Sequence, residues 1–214
     1  MGDIPRADHD FEFVGGSVAL DFANTLGGMH TAPTHEHLVE YGDLVEFGRS
    51  AGTISPSQAR HLAEEADRQP ARASAVLRRA IALREAIWGG FDAFAKGTRA
   101  DPSDLDVIHR EDLNALAHVR FAQSAGGGAD YEWSDEIPLE RPVWAIARSA
   151  AELLRSKELT WVRECGSATC EWLFIDKSRN HSRRWCDMND CGSEAKVRRF
   201  RQRQRRAAKA KVSR

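Results

Sequence analysis

The chain has no apolar run approaching the roughly 20 residues needed to cross a bilayer, so it carries no helical membrane span. Its first stretch, Met1 to Phe11, holds acids and no apolar h-region, which is not the pattern of an export signal; the expected compartment is the cytoplasm. No glycine-rich phosphate loop and no nucleophile motif is present, and no internal repeat is visible, so catalysis is not expected. Cysteine is scarce, with four in 214 residues. All four fall between Cys165 and Cys191.

That clustering organises the rest of the reading. The pattern is Cys-x4-Cys, a longer connection, then Cys-x4-Cys, placing Cys165 with Cys170 and Cys186 with Cys191. One tetrahedral Zn²⁺ bound by four thiolates is the simplest account, since closed structural sites draw on two close pairs. Two disulfides would need an oxidising compartment, and iron–sulfur clusters use tighter spacings. A segment this short cannot bury a core of its own and normally needs a metal. Trp172, Phe174 and Trp185 supply a minimal apolar shell.

The net charge of −1 hides an asymmetry. Residues 1–160 carry 16 Lys+Arg against 26 Asp+Glu, whereas residues 161–214 carry 15 against 6. An acidic body joined to a basic end points to a nucleic-acid partner for that end. Between the cysteine pairs, Lys177, Arg179, Arg183 and Arg184 are side chains of the phosphate-contacting kind. After Cys191 a helix is expected, with Val197 and Phe200 docking it on the zinc module. Lys196, Arg198, Arg199, Arg201, Gln202, Arg203 and Arg205 follow on that helix. Arg198, Arg199 and Gln202 are the candidates for the DNA groove, because Arg and Gln pair bidentately with G and A.

The longer N-terminal part reads as mainly helical. Helices are expected over Glu36 to Arg49, from Pro56 to about Asp67, from Ala71 to about Phe94, from Pro102 through Leu116, and over Val143 to Leu154. Gly89-Gly90 is a potential bend in the third of these. Val119, Phe121, Tyr131 and Trp133 flank a glycine-rich turn and predict a hairpin. Gly27 to Pro33 reads as a loop, with His30, His35 and His37 as surface histidines nearby. Around Leu20 a short helix places Asp21, Asn24 and Thr25 at its margin. Asp21 and Asn24 either bond local backbone and fix the Gly15-Gly16 turn or, with Thr25, line a pocket for a small effector.

Several of these segments resemble a known pair of families. Cys165, Cys170-Glu171-Trp172-Leu173-Phe174-Ile175-Asp176, Ser178-Arg179-Asn180, Arg183-Arg184-Trp185-Cys186-Asp187-Met188 and Cys191-Gly192 closely resemble the CGNR zinc finger. Gly15-Gly16 and Leu20-Asp21-Phe22-Ala23-Asn24-Thr25 look like the opening of the ABATE domain that accompanies that finger in bacterial proteins. The resemblance implies zinc ligands at Cys165, Cys170, Cys186 and Cys191 and a transcription regulator with a C-terminal DNA-binding finger. One departure stands out: the family's Cys-Gly-Asn-Arg is here Cys191-Gly192-Ser193-Glu194, with an anion where relatives carry a cation.

The expected fold is mainly α. A helical N-terminal domain with a small β-hairpin (1–158) is followed by a small zinc-stabilised α+β finger, treble-clef- or ribbon-like (159–200), and a basic C-terminal helix or tail (201–214). The expected function is zinc-dependent DNA binding, with the N-terminal domain sensing a ligand or forming a homodimer. The alternative is an RNA- or protein-binding adaptor.

Overall fold

The computed structural model describes residues 4–212 except His9 and Ala125, with side chains through Gln204. The described chain runs α1 (Val18–Ala23), β1 (Leu26–Met29), β2 (Ala32–Glu36), α2 (Tyr41–Ser50), α3 (Pro56–Arg68), α4 (Pro70–Ala95), α5 (Pro102–Leu116), β3 (Val119–Gln123), β4 (Ala129–Trp133), α6 (Arg141–Arg155), a 3₁₀ turn (Lys157–Trp161), β5 (Val162–Glu164), β6 (Leu173–Ile175) and α7 (Cys191–Val212). The fold is mainly α, as expected. Its strands form three separate antiparallel pairs, β1–β2, β3–β4 and β5–β6.

Helix α4 is the centre of the body. Its Ala73, Val76, Leu77, Ala80, Leu83, Ile87 and Phe91 recur at three- and four-residue steps and are all buried. Helices α1, α2, α5 and α6 pack around it. The helix runs through Gly89-Gly90 without interruption. Gly89 serves close approach instead: a Cβ there would lie 2.5 Å from a carboxylate oxygen of Asp104 on α5. Helix starts follow local chemistry. Ser55 caps α3 by accepting from the Gln58 amide, with Pro56 at the first helical position, and Asp101 caps α5 ahead of Pro102.

Three expectations fail between Gly27 and Tyr41. The stretch taken as a loop is the β1–β2 hairpin, with its register shifting at Gly27 and Gly28. The expected helix start at Glu36 is too early, because Glu36 ends β2 and pairs with Leu26. Its carboxylate accepts from the Leu38 amide at 2.8 Å and meets the buried Arg84 guanidinium at 2.6 Å. The helix begins at Tyr41, where Glu40 and Asp43 form a reciprocal capping box. The histidines are not surface residues of a loop either. His37 is buried and packs on Phe11, and His30 stacks on Trp88 at 3.7 Å.

Ile87 is fully buried at the middle of α4. Replacing it with alanine should cost about 2–5 kcal/mol in chemical denaturation of zinc-loaded protein, because the surrounding helices cannot close the cavity. A loss below about 1 kcal/mol would show that α4 is not the packing centre.

Candidate metal centre

Strands β5 and β6 pair from Val162 with Ile175 to Glu164 with Leu173. The Cys165 amide extends the ladder by donating to the Trp172 carbonyl at 2.8 Å. Cys165 and Cys170 therefore sit at the two ends of the connection between the strands. Cys186 arrives on the following loop, and Cys191 is the first residue of α7. The loop is tied back by the Gly166 amide, which donates to the Arg184 carbonyl at 2.7 Å. A Cβ at Gly166 would lie 2.9 Å from that same oxygen, so the contact requires glycine.

The four sulfurs lie within 4.8 Å of one another. Cys170 Sγ is 3.8 Å from Cys186 Sγ, which is 3.6 Å from Cys191 Sγ. A tetrahedron with Zn–S bonds of about 2.3 Å has edges of about 3.8 Å, so the thiols already stand at zinc-binding separations. None is in a disulfide, and all four are buried. The Cys186 amide points at Cys165 Sγ from 3.4 Å, a donor that stabilises a thiolate. Phe174 is fully buried against the cluster, and Trp172, Trp185 and Val14 pack around it. The donor set, its spacing and its apolar shell fit one structural zinc ion.

The electrostatics call for a cation. Without one, the thiol of Cys165 is pushed down, because Cys170 and Cys186 donate to it. Cys170 and Cys186 are pushed up by that same bonding and by burial, and Cys191 is pushed up to about 11 by burial and by the charge of Cys165. A cluster that tolerates one thiolate becomes a cluster of four only when a dication neutralises them.

The loop from Asp176 to Trp185 is built inward. Asp176 is fully buried and accepts from the Ser178 amide, the Ser178 hydroxyl and the Arg183 amide at 2.6–2.9 Å. Burial pushes its carboxyl up, but these hydrogen bonds outweigh it and hold the group below its ordinary range. The Arg183 guanidinium lies 4.5 Å from the centre of the Phe174 ring and donates to the carbonyls of Trp185 and Cys186. Arg183, expected on the nucleic-acid surface, is half-buried and uses its guanidinium to hold a zinc-ligand loop. Lys177 lies over the body, 3.3 Å from the Gly16 carbonyl and 3.7 Å from Glu158. Arg179 and Arg184 are exposed.

Helix α7 leaves this centre with one buried face. Ala195 is buried one turn after Cys191, and the Arg199 guanidinium lies 6.0 Å from the Trp185 ring. Val197 and Phe200 do not dock the helix, as was expected of them; they are 48% and 61% exposed. The helix turns about 100° per residue, so Phe200 stands about 180° around from Cys191 while Ala195 stands only about 40° away. Lys196, Arg198, Arg199, Arg201, Gln202 and Arg203 are all exposed. Arg205 lies in the helix, but its side chain is outside the described residues.

The finger is joined to the helical body by a seam of paired polar groups. The Asn24 side-chain amide donates to the Leu173 carbonyl and its oxygen accepts from the Leu173 amide, both at 2.9 Å. The Ile175 amide donates to the Gly15 carbonyl at 2.8 Å, and Trp172 Nε1 donates to the Leu26 carbonyl at 3.0 Å. Glu171 makes three contacts: its amide donates to Gly28, its carbonyl accepts from Trp88 Nε1, and its carboxylate accepts from the His30 amide. Val162, Leu173 and Ile175 belong to the main core itself.

The residues considered for an effector pocket are used inside this seam. Asp21 Oδ1 accepts from the Gly15 amide at 2.7 Å, Thr25 donates to the Phe22 carbonyl at 2.8 Å, and Asn24 spends its amide on β6. Local backbone bonding describes Asp21 and Thr25. The Asn24 partner lies 149 residues away, and nothing in the local sequence announces it. Glu171 carried no signal beyond its place beside Cys170.

The fold and site define a zinc-finger protein: a helical body carrying a Cys₄ centre from which a basic helix projects. Residues 16–157 match the model of the ABATE family, described as "Putative stress-induced transcription regulator", and the chain belongs to that family. Residues 162–204 match the model of the CGNR zinc finger. No curated protein matches the chain.

Burial raises the Asp21 carboxyl to about 6, against the opposing pull of the Gly15 and Val14 amides. Between the unfolded value of about 3.9 and this folded value the native state holds the extra proton. Stability therefore falls as pH rises through that window and is flat above it. Asp21→Asn keeps an acceptor for Gly15 and cannot ionise. Its stability relative to the parent should rise by about 1 kcal/mol from pH 5 to pH 7.5 in paired melts. A pH-independent difference would contradict this account of Asp21.

Proposed function

We propose that this chain is a cytoplasmic, non-catalytic transcription regulator that binds DNA through α7. What carries the reading is one feature: a 22-residue basic helix whose first residue is a zinc ligand and whose described side chains beyond Ala195 are all exposed. At 1.5 Å per residue the helix is about 33 Å long, close to one turn of duplex DNA. It holds nine Lys or Arg and one acid, Glu194. That acid sits on the first turn, where the helix dipole favours it, and leaves the projecting length to cations.

Arg198, Arg199, Gln202 and Arg203 are the groove and phosphate contacts in this reading, with Arg179 and Arg184 as flanking phosphate contacts. Four thiolates close the zinc site, so no open position remains to activate water. The helical body acts as a rigid mount, and Asp21, Asn24 and Thr25 serve the mount and not an effector.

The test is fluorescence anisotropy with duplex DNA selected from a random library. Zinc-loaded protein should bind with a steep salt dependence, and Arg198→Ala, Arg199→Ala and Arg203→Ala together should flatten the slope of log K against log salt by about 2–3. Arg184→Ala should weaken binding with zinc content unchanged, whereas Arg183→Ala should release zinc. Affinity untouched by the triple variant would refute α7 as the contact. Stronger binding to RNA or to an acidic protein would replace DNA with an adaptor function.

A further inference from the structure

The β3–β4 hairpin stands out from the body as a two-stranded sheet. Its base is anchored: Trp133 packs against Trp144 and the Arg141 guanidinium, both on α6. Its outer part is open apart from the Arg148 guanidinium of α6, which lies 5.7 Å from the centre of the Tyr131 ring. Phe121 and Tyr131 face one another across the strands with ring centres 5.1 Å apart, and they are 73% and 61% exposed. An exposed aromatic pair on a bare sheet edge is costly to leave open to water and to other strands.

The backbone shows which edge is available. The Ser134 amide donates to the His118 carbonyl, and the Ser124 amide to the Gly128 carbonyl. Antiparallel pairs alternate between bonded and non-bonded, so Arg120 and Ala122 bond inward to β4. The amide and carbonyl groups of Val119, Phe121 and Gln123 therefore point outward along β3, and those of Ala129, Tyr131 and Trp133 outward along β4.

We propose that the chain forms a two-fold dimer by pairing β3 with β3 of a second copy, centred on Phe121. In that register Phe121 bonds to Phe121 of the second copy, and Val119 bonds to its Gln123, each pair exchanging both N–H···O bonds. Arg120 faces an alanine. On the aromatic face the rings form one row, Tyr131, Phe121 and their two counterparts. On the other face Arg120 keeps its own ion pair with Glu132 at 3.3 Å. β3 carries no proline and no lysine to block such pairing. The β4 edge does not permit the same contact, because centring it on Tyr131 sets Asp130 against Glu132 of the second copy on both sides of the axis. The inference rests on strand edges and charges and does not depend on DNA binding.

Sedimentation equilibrium of the zinc-loaded full chain tests it. The protein should sediment at twice its 23.9 kDa chain mass. Phe121→Asp sets two carboxylates against each other at the axis and should raise the dimer dissociation constant at least about 10-fold. Gln123→Pro removes an outward amide that the hairpin does not use, and should do the same while far-UV circular dichroism and zinc content stay as in the parent. A parent that stays monomeric at its highest soluble concentration would overturn the proposal. So would a dimer whose dissociation constant neither substitution moves.

Discussion

Four thiolates packed within 4.8 Å of one another are tolerable only around a cation, and the C-terminal part of the fold depends on that neutralisation. Two ligands sit at the ends of the β5–β6 connection, one sits on the following loop, and one opens α7. The ion therefore fastens three pieces of chain that are otherwise joined by only a few hydrogen bonds, such as that from the Gly166 amide to the Arg184 carbonyl. Arg183 reinforces the same point from outside, since its guanidinium holds the carbonyls of Trp185 and Cys186 while lying over Phe174. Helix α7 takes its direction from this centre, because its buried residues, Cys191, Gly192 and Ala195, all lie in its first five positions.

The centre is not an appendage. The β5–β6 pair lies in the main core through Val162, Leu173 and Ile175, and Asn24 bonds both backbone groups of Leu173. Buried amide and carbonyl groups left without those partners would each cost about 1–3 kcal/mol. The seam thus transmits the order of the zinc site to α1 and to the Gly15-Gly16 turn, and the orientation of α7 is referred to the whole body. Such a mount lowers the entropy lost when charged side chains meet a partner surface.

Local chemistry was legible in the sequence. Cysteine spacing identified the metal ligands, the Ser55-Pro56 and Asp101-Pro102 pairs marked helix starts, and the apolar steps along α4 located the core. Alternating residues around Gly126-Gly127-Gly128 located the β3–β4 hairpin. What escaped depends on partners far along the chain. Gly27 and Gly28 looked like loop residues, yet they lie in β1 opposite an extra residue of β2, Thr34, where the register shifts. Asn24 reads as a residue that bonds local backbone at the Gly15-Gly16 turn, or lines a pocket, until Leu173 is brought beside it. Arg183 and Arg184 are adjacent and chemically alike, but only the fold shows that one faces the zinc loop and the other faces solvent. Val197 and Phe200 share helical spacing with a docking face but lie on the wrong side of α7, since the angle from Cys191 decides what is buried.

The central claim is that one zinc ion holds the finger and the helical body as a single mechanical unit. Hydrogen exchange followed by mass spectrometry, with and without a chelator, tests it directly. The account predicts that removing zinc deprotects amides in 162–195 and also those of α1 and β1, on the far side of the seam, while the middle of α4 keeps its protection. Deprotection confined to 162–195, with α1 and β1 unchanged, would contradict it and would make the finger an independent module.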